Sequence, residues 1–316
     1  MMPLRLSRRT VLAGLGVLPI IGPAWGETSL RVGDQKGGAK ALMEAAGQLE
    51  GLPYRLDWSL FAGAPMLLEA MNAGAIDTGV VGDAPFVFAA AADAPIKGIA
   101  ALRQDQTGTA VVVPDKSAIR TVADLKGKTI GTLRGQTGHF PVLAALKQAG
   151  LQFTDVKFAF LDPVSAKSAL FSGSIDAWAT WGPYIATARI NDGARVIVTG
   201  HELMSGYSYQ VATDQAIAAK RPLLADYLRR LTLARRWGLQ HMGEQARIWA
   251  EQTGFPLAVA QDVIETAHAE PVPIDDATTA GQQRVADFFH EAGVIAKPEA
   301  VASFFDRSFN DDAFRA

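Results

Sequence analysis

Between Ser59 and Ala90 the chain runs through a helix, a strand and a second helix start, and this order narrows the fold more than any other stretch. Met66, Leu67, Ala70 and Met71 recur at helical spacing within Ala64–Asn72. Ile76, Val80 and Val81 then predict a short buried strand, closed by Gly82-Asp83 and a fresh helix start at Ala84-Pro85. Such alternation builds an open α/β sheet, in which small ligands meet the carboxyl ends of strands where glycine turns lead into helix N-termini. Backbone N–H groups exposed there suit an anion. No nucleophile or metal ligand accompanies them, so the expectation is capture rather than chemistry.

The first 26 residues predict an export signal. Arg5, Arg8 and Arg9 form its charged region, Val11 to Ile21 its apolar stretch, and Pro23-Ala24-Trp25-Gly26 a small-residue cleavage site, so the mature chain is expected to start after Gly26 in the periplasm. Ser7-Arg8-Arg9-Thr10-Val11-Leu12 points to the twin-arginine route, with a plain Sec signal as the alternative. The apolar stretch is shorter than the ~20 residues of a retained span, so the mature chain is not expected to enter a membrane. Removing residues 1–26 takes away three arginines and no acids, which moves the net charge from −2 to −5. An acidic surface without a basic stripe disfavours nucleic acid as a partner. The chain has no cysteine, so neither a disulfide nor a bacterial lipid anchor is expected.

The 290 residues after Gly26 suit two lobes of ~100–150 residues better than one. Strands are predicted at Leu30–Gly33, Tyr54–Trp58, Ile96–Leu102, Ala110–Val113, Thr129–Leu133, Val156–Leu161, Ile175–Thr180 and Val196–Val198, with helices between most of them. Tyr207 to Ala212 reads as a strand crossing back. From Ala216 onward the pattern is mainly helical, including Pro222–Met242, Glu244–Thr253, Pro256–Ala267, Thr278–Glu291 and Pro298–Phe305. The predicted class is α/β: residues 27–110 with 207–316 form lobe 1, residues 111–206 form lobe 2, and two extended crossovers join them.

Several residues stand where a ligand would meet such a fold. Gly82 and Asp83 follow the third strand; Asp83 is read mainly as a helix cap that orients the turn, with direct contact as the lesser reading. In Gly135-Gln136-Thr137-Gly138-His139, Thr137 is placed to cap the following helix while the first-turn N–H groups face the cleft. Trp178 and Trp181 are three apart on a strand, so they take opposite faces. Trp181, nearer the strand end, is expected to wall the cleft and Trp178 to pack in the core. Tyr207 and Tyr209, near the second crossover, either touch ligand or pack at the hinge. His201, His241, His268 and His290 show no HxxxH or HExxH spacing, so no metal is expected. Gly131 and Gly135 fit neither GxGxxG nor a Walker A loop, so no nucleotide or other cofactor is expected.

Taken in order, Asp34-Gln35-Lys36-Gly37-Gly38, Phe61-Ala62-Gly63-Ala64-Pro65, Asn72-Ala-Gly-Ala-Ile-Asp77, Gly82-Asp83-Ala84-Pro85, Thr121-Val-Ala-Asp-Leu-Lys-Gly127, Gly138-His139 and Asp176-Ala-Trp178-Ala-Thr-Trp181 resemble the periplasmic aliphatic sulfonate-binding proteins of ABC importers. That group also holds taurine-, nitrate- and thiamine-precursor-binding members, and the resemblance spans essentially the whole mature chain. It implies a type II periplasmic binding protein, a monomer whose two lobes close on a small organic anion and deliver it to an importer permease. It adds Gln35 and Gly63 to the site and gives His139 a role as donor to a sulfonate oxygen, against the plainer reading of a helix-start histidine bonded to water. The chain departs from the family at Gln136 and Thr137, where a serine pair is usual. It departs again at Gly182, where relatives commonly carry an aspartate, which argues against an amino-bearing ligand such as taurine. Nitrate, taurine, a sulfate ester and an aromatic sulfonate remain alternative cargoes. An enzyme of the pyrimidine-precursor synthase group needs a cysteine motif that this chain lacks, and a periplasmic sensor subunit is the last alternative.

Overall fold

The computed structural model describes residues 29–201, 203–297 and 300–315. The predicted export signal lies outside them. The strands in chain order are β1 (Ser29–Asp34), β2 (Arg55–Leu60), β3 (Thr78–Gly82), β4 (Ile96–Arg103), β5 (Thr109–Pro114), β6 (Thr129–Thr132), β7 (Lys157–Phe160), β8 (Ala177–Trp181), β9 (Ala194–Thr199), β10 (Tyr207–Thr213) and β11 (Glu270–Val272). The helices are α1 (Ala39–Ala45), α2 (Ala64–Asn72), α3 (Asp83–Ala91), α4 (His139–Gln148), α5 (Pro163–Phe171), α6 (Pro183–Ile190), α7 (Asp214–Gln240), α8 (Met242–Thr253), α9 (Leu257–Ala267), α10 (Asp276–Glu291) and α11 (Asn310–Phe314).

The strands form two mixed sheets, ordered β11-β4-β10-β3-β1-β2 and β7-β6-β8-β5-β9. Within the first, β1 runs parallel to β2 and β3, as βα units require, while β10 inserts antiparallel between β3 and β4. In the second, β6 runs parallel to β7 and β8, and β5 lies antiparallel to β8 and β9. The chain leaves the first sheet between β4 and β5 and returns between β9 and β10. These crossovers lie side by side: the Gln104 N–H bonds the Gly206 carbonyl at 2.7 Å.

Each sheet carries apolar cores, and one further cluster joins the two. Phe289 and Val285 of α10 pack with Ala84 and Val87 of α3, from the first lobe, and with Phe140 and Leu143 of α4, from the second. The Lys147–Glu291 ion pair flanks this seam, and Arg189 of α6 meets Asp262 of α9 at 3.1 Å on another edge. C-terminal helices thus strap both lobes together.

Two expectations change. The helix predicted over Pro298–Phe305 is a 3₁₀ turn at Val301–Phe304, with residues 298 and 299 outside the described set. Phe305 is apolar because it packs edge-on against Phe86 and Tyr209 and bridges Gly98, a tertiary reason that helical periodicity mimics. The helix expected from Pro222 begins at Asp214, capped by the Thr213 hydroxyl on the Ala216 N–H at 3.1 Å, and bends at Lys220 just before the proline.

That bend lets Lys220 reach a buried acid. Asp77 takes the Arg31 N–H at 2.8 Å and Lys220 Nζ at 2.7 Å, linking β1, the β3 entry and α7. Burial pushes its carboxyl up, but hydrogen bonds from Arg31 and Lys220 outweigh that and hold it below the usual carboxylate range. A depressed folded value means stability that is present above the unfolded value of about 3.9 and lost as pH falls through the folded one. Because Arg31 and Lys220 are partly exposed, Asp77→Asn is expected to destabilise by only about 1–2 kcal/mol at pH 7. In urea melts, the gap between parent and variant should narrow as pH drops towards 3.

Candidate ligand-binding site

A cavity of about 270 Å³ opens between the two sheets. Gln35, Gly63, Gly82, Asp83 and Tyr207 line it from the first lobe, and Gln136, Thr137 and Trp181 from the second. The structure therefore brings together eight of the ten residues singled out from the sequence, although they are spread over more than 170 positions.

Gln35 is placed by its neighbour. The buried Asp34 carboxylate accepts the N–H groups of Gln35 at 2.8 Å, Ala39 at 2.9 Å and Lys40 at 2.8 Å, folding the loop after β1 back onto α1. Two other helices start at the cavity with glycine caps, Gly63 on α2 and Gly182 on α6, and no side chain caps either one. Apart from Pro65 and Pro183, which carry no N–H, the first-turn donors are left without a side-chain cap, and a helix start carries partial positive charge. Gly182 has φ +50, a backbone that other residues adopt only with strain, and open space where a side chain would stand.

Two side chains have polar atoms that match the cavity. Gln136 is 3% exposed and its Nε2 finds no hydrogen-bond partner in the protein; Ser208, 6% exposed, has an equally unpaired Oγ. Both line the cavity, one from the loop before α4 and the other from β10. Buried donors left unpaired are destabilising, and such groups concentrate where a partner arrives from outside.

Asp83 is not the cap of α3; Gly82 is. Asp83 is the first helical residue, fully buried, with Oδ1 accepting the Ala84 N–H at 2.7 Å and Oδ2 the Ser205 hydroxyl at 2.8 Å. Burial pushes its carboxyl up, while Ser205 pulls it back down. Asp83 thereby ties the second crossover to the start of α3. Thr137 does not cap α4 either, because Gly138 occupies that position. Its hydroxyl instead faces Gly82 across the cleft, 2.8 Å from where a side chain on Gly82 would begin.

Gly138 and His139 lie outside the cavity lining. A Cβ on Gly138 would stand 2.9 Å from the Ala179 carbonyl, so this glycine allows α4 to approach β8 closely. His139 is buried, with its ring 5.2 Å from Phe158, 5.5 Å from Phe160 and 6.2 Å from Phe289, and its Nδ1 accepts the Gly135 N–H at 3.4 Å. Burial, reinforced by the nearby Arg134 charge, pushes its pKa down to about 4. The donor role implied for His139 gives way to a neutral ring in the seam between lobes.

Trp178 sits in the core of the second lobe, while Trp181 is half-buried at the cavity, edge-on to Tyr184. Tyr207 lines the cavity and Tyr209 is buried beside it. Sequence reasoning missed Ser208, the crossover residues Gln104, Asp105, Gln106 and Thr109, and the α9 residues Val263, Thr266 and Ala267. For α9 no local signal existed, since tertiary contacts bring it to the cleft: packing on α6 and α8, and the Asp105 N–H bonded to the Ala267 carbonyl at 3.0 Å.

Comparison with known proteins agrees with this geometry. Residues 62–245 match the family model described as NMT1/THI5 like. The chain is 32% identical over 275 residues to the "Putative aliphatic sulfonates-binding protein" of Escherichia coli (strain K12), covering 85% of this chain and 86% of that one. It superposes on the alkanesulfonate-binding protein SsuA from Xanthomonas axonopodis pv. citri, solved bound to MOPS, with a TM-score of 0.82 and 29% identity over 90% of this chain and 100% of that one. The fold also carries an enzyme: the desulfurization enzyme DSZB aligns with a TM-score of 0.67 over 90% of this chain and 98% of that one, at 17% identity, a likeness of fold alone.

Proposed function

This chain belongs to the NMT1/THI5-like family, and from that premise we propose that it is a periplasmic binding protein which captures an aliphatic sulfonate between its lobes and delivers it to the permease of an ABC importer. In this reading the chain is exported with cleavage after Gly26, acts as a monomer, and divides into lobe 1 (27–110 and 207–316) and lobe 2 (111–206). In the same reading it works by binding and release rather than by catalysing a reaction.

The observation that carries the reading is the pair of unpartnered buried donors, Gln136 Nε2 and Ser208 Oγ, lining one cavity with the uncapped helix starts at Gly63 and Gly182. A sulfonate presents three acceptor oxygens around one charge and would meet donors from both lobes. Micromolar binding takes about 8 kcal/mol, and hydrogen bonds to a charged group supply about 1.5–3 kcal/mol each. About three to six such bonds, across that range, supply this much. Trp181, Ala64 and Val263 give the alkyl tail an apolar wall. The cavity is far larger than bare nitrate needs, which favours a head with a tail. A ligand bridging the lobes would favour their closed arrangement, provided it binds that arrangement better than the open one.

Thermal melts with a series from ethanesulfonate to hexanesulfonate test the proposal. At a ligand concentration of 100 Kd the folded state gains about 2.7 kcal/mol, which for a chain of this size raises Tm by roughly 5 °C. Nitrate and inorganic sulfate should give smaller shifts. An unmoved Tm with every alkanesulfonate at millimolar concentration would overturn sulfonate capture.

A further inference from the structure

The cavity is short of positive charge. Asp83 and Asp105 line it, and no lysine, arginine or histidine joins them among the described residues. Cations do flank it, but they are engaged elsewhere. Lys36, next to Gln35, donates from Nζ to the Thr253 carbonyl at 2.7 Å, and Arg103, next to Gln104, pairs with Glu270. Arg134 lies over the Phe160 ring, and His201 meets Asp105 at 3.1 Å. An anion leaving water for this space would find neutral donors and no cation at contact distance.

One cation lies beneath the floor instead. Arg235 of α7 borders two small cavities, of about 40 and 20 Å³, on the far side of residues that carry the cleft. Ala267 walls the first of these and the ligand cavity as well. Leu102, two residues before Gln104, walls the second. Spaces of that size take about one or two waters and no sulfonate, so Arg235 stands behind the site without touching a ligand. Its Nε is buried without a hydrogen-bond partner, and no acid among the described residues forms an ion pair with it. Burial is the largest influence on the guanidinium and pushes it down, opposed by Tyr227 and Asp34; an arginine nonetheless stays protonated at neutral pH.

Asp34 is the acid that feels this charge. Its carboxylate takes the Gln35, Ala39 and Lys40 N–H groups, an arrangement suited to the ionised form. Burial is again the largest influence and pushes the carboxyl up; those three bonds and, after them, the Arg235 charge pull it back. Asp34 immediately precedes Gln35 on the cavity wall, so without Arg235 its negative charge would stand behind the cleft unopposed. Charges so placed are screened by salt far less than surface ones. We infer that Arg235 is the counter-charge of the site: from beneath the floor it offsets Asp34 and makes the cavity receptive to an anion that it never touches. It is a positioning residue, since it acts through its field and Asp34 rather than by contact. This rests on sulfonate capture at the same cavity and goes beyond it by naming the cation.

The test is calorimetry with butane-1-sulfonate at pH 7.5 on the whole protein and three variants, each shown to be folded by its melting curve. Arg235→Met removes the charge and keeps much of the length, and its affinity is expected to fall about tenfold or more. Arg235→Gln serves in its place if that variant does not fold. Arg235→Lys keeps the charge and should stay within about threefold of the parent. Adding Asp34→Asn to Arg235→Met removes the acid left unopposed and should recover most of the loss. The asparagine oxygen can still take the Gln35 and Ala39 N–H groups, so Gln35 is not released. An affinity of Arg235→Met within about twofold of the parent overturns the inference and leaves sulfonate capture standing. A double variant that binds no better than Arg235→Met overturns it too, as does Arg235→Lys falling as far as Arg235→Met, since a packing defect would behave in that way. No binding of butanesulfonate by the parent protein refutes capture and this inference together.

Discussion

Phe289→Ala is expected to destabilise the protein by about 3–5 kcal/mol, the range for emptying a phenylalanine site in a packed core. Phe289 is fully buried on α10, with ring centroids 5.2 Å from Phe88, 5.4 Å from Phe140 and 6.2 Å from His139. Phe88 belongs to α3 of the first lobe, while Phe140 and His139 belong to α4 of the second. One ring therefore fills space between two bodies also joined by the crossovers and by the Lys147–Glu291 and Arg189–Asp262 pairs, and its loss loosens the seam as well as the core. For this chain length the fall in Tm is roughly 6–10 °C. Phe289→Leu, which retains most of the volume, should lose less than half as much.

His139 supplies an independent readout of the same seam. Its folded pKa of about 4 lies below the unfolded value near 6.5, so the unfolded chain takes up the proton first and stability falls as pH drops from about 6.5 towards 4. Opening the Phe289 site admits water to the imidazole and should bring its pKa up towards 6.5, visible in the ring-proton chemical shifts. A loss below 1 kcal/mol with an unmoved histidine would show that α10 does not hold the lobes together.

Where sequence spoke clearly, the signal was local. Gly82-Asp83-Ala84-Pro85 and Gly182-Pro183 each place a helix start directly after a strand, and both starts stand at the cavity. Trp178 and Trp181 are separated by strand parity alone, which needs no tertiary knowledge. Where sequence spoke poorly, the deciding contact was distant. His139 looks like a cleft residue from its motif, yet its surroundings are set by Phe289, 150 positions later, and by Phe158 and Phe160 on β7. Thr137 and Asp83 are good capping residues by type, but in both turns a glycine one position away takes the cap, leaving their side chains to face Gly82 and Ser205. Ser208 sits unremarked between two tyrosines; only the insertion of β10 between β3 and β4 turns it towards the cavity. Asp105, which also lines the cavity, lies in a crossover with no motif of its own.

Gln136→Ala is expected to weaken alkanesulfonate binding by roughly 10- to 100-fold, the equivalent of one hydrogen bond to a charged group at about 1.5–3 kcal/mol. The protein without ligand should respond in the opposite direction. Its Gln136 Nε2 is buried and unpaired, a state that costs about 1–3 kcal/mol, so deleting the amide removes a penalty that largely offsets the lost packing of its methylene groups. Tm without ligand should therefore hold or rise while affinity falls. A glutamine that merely held its loop would behave otherwise, lowering Tm and dragging affinity down with it. Gln136→Glu sharpens the contrast, because it keeps the length but puts an acceptor where the oxyanion needs a donor, and should reduce affinity further than alanine does. Calorimetry beside melting curves reads both quantities. An affinity within twofold of the parent in the alanine variant would mean that the unpaired amide is not waiting for the ligand, and the donor set proposed for the cleft would have to be redrawn around Ser208 and the helix starts alone.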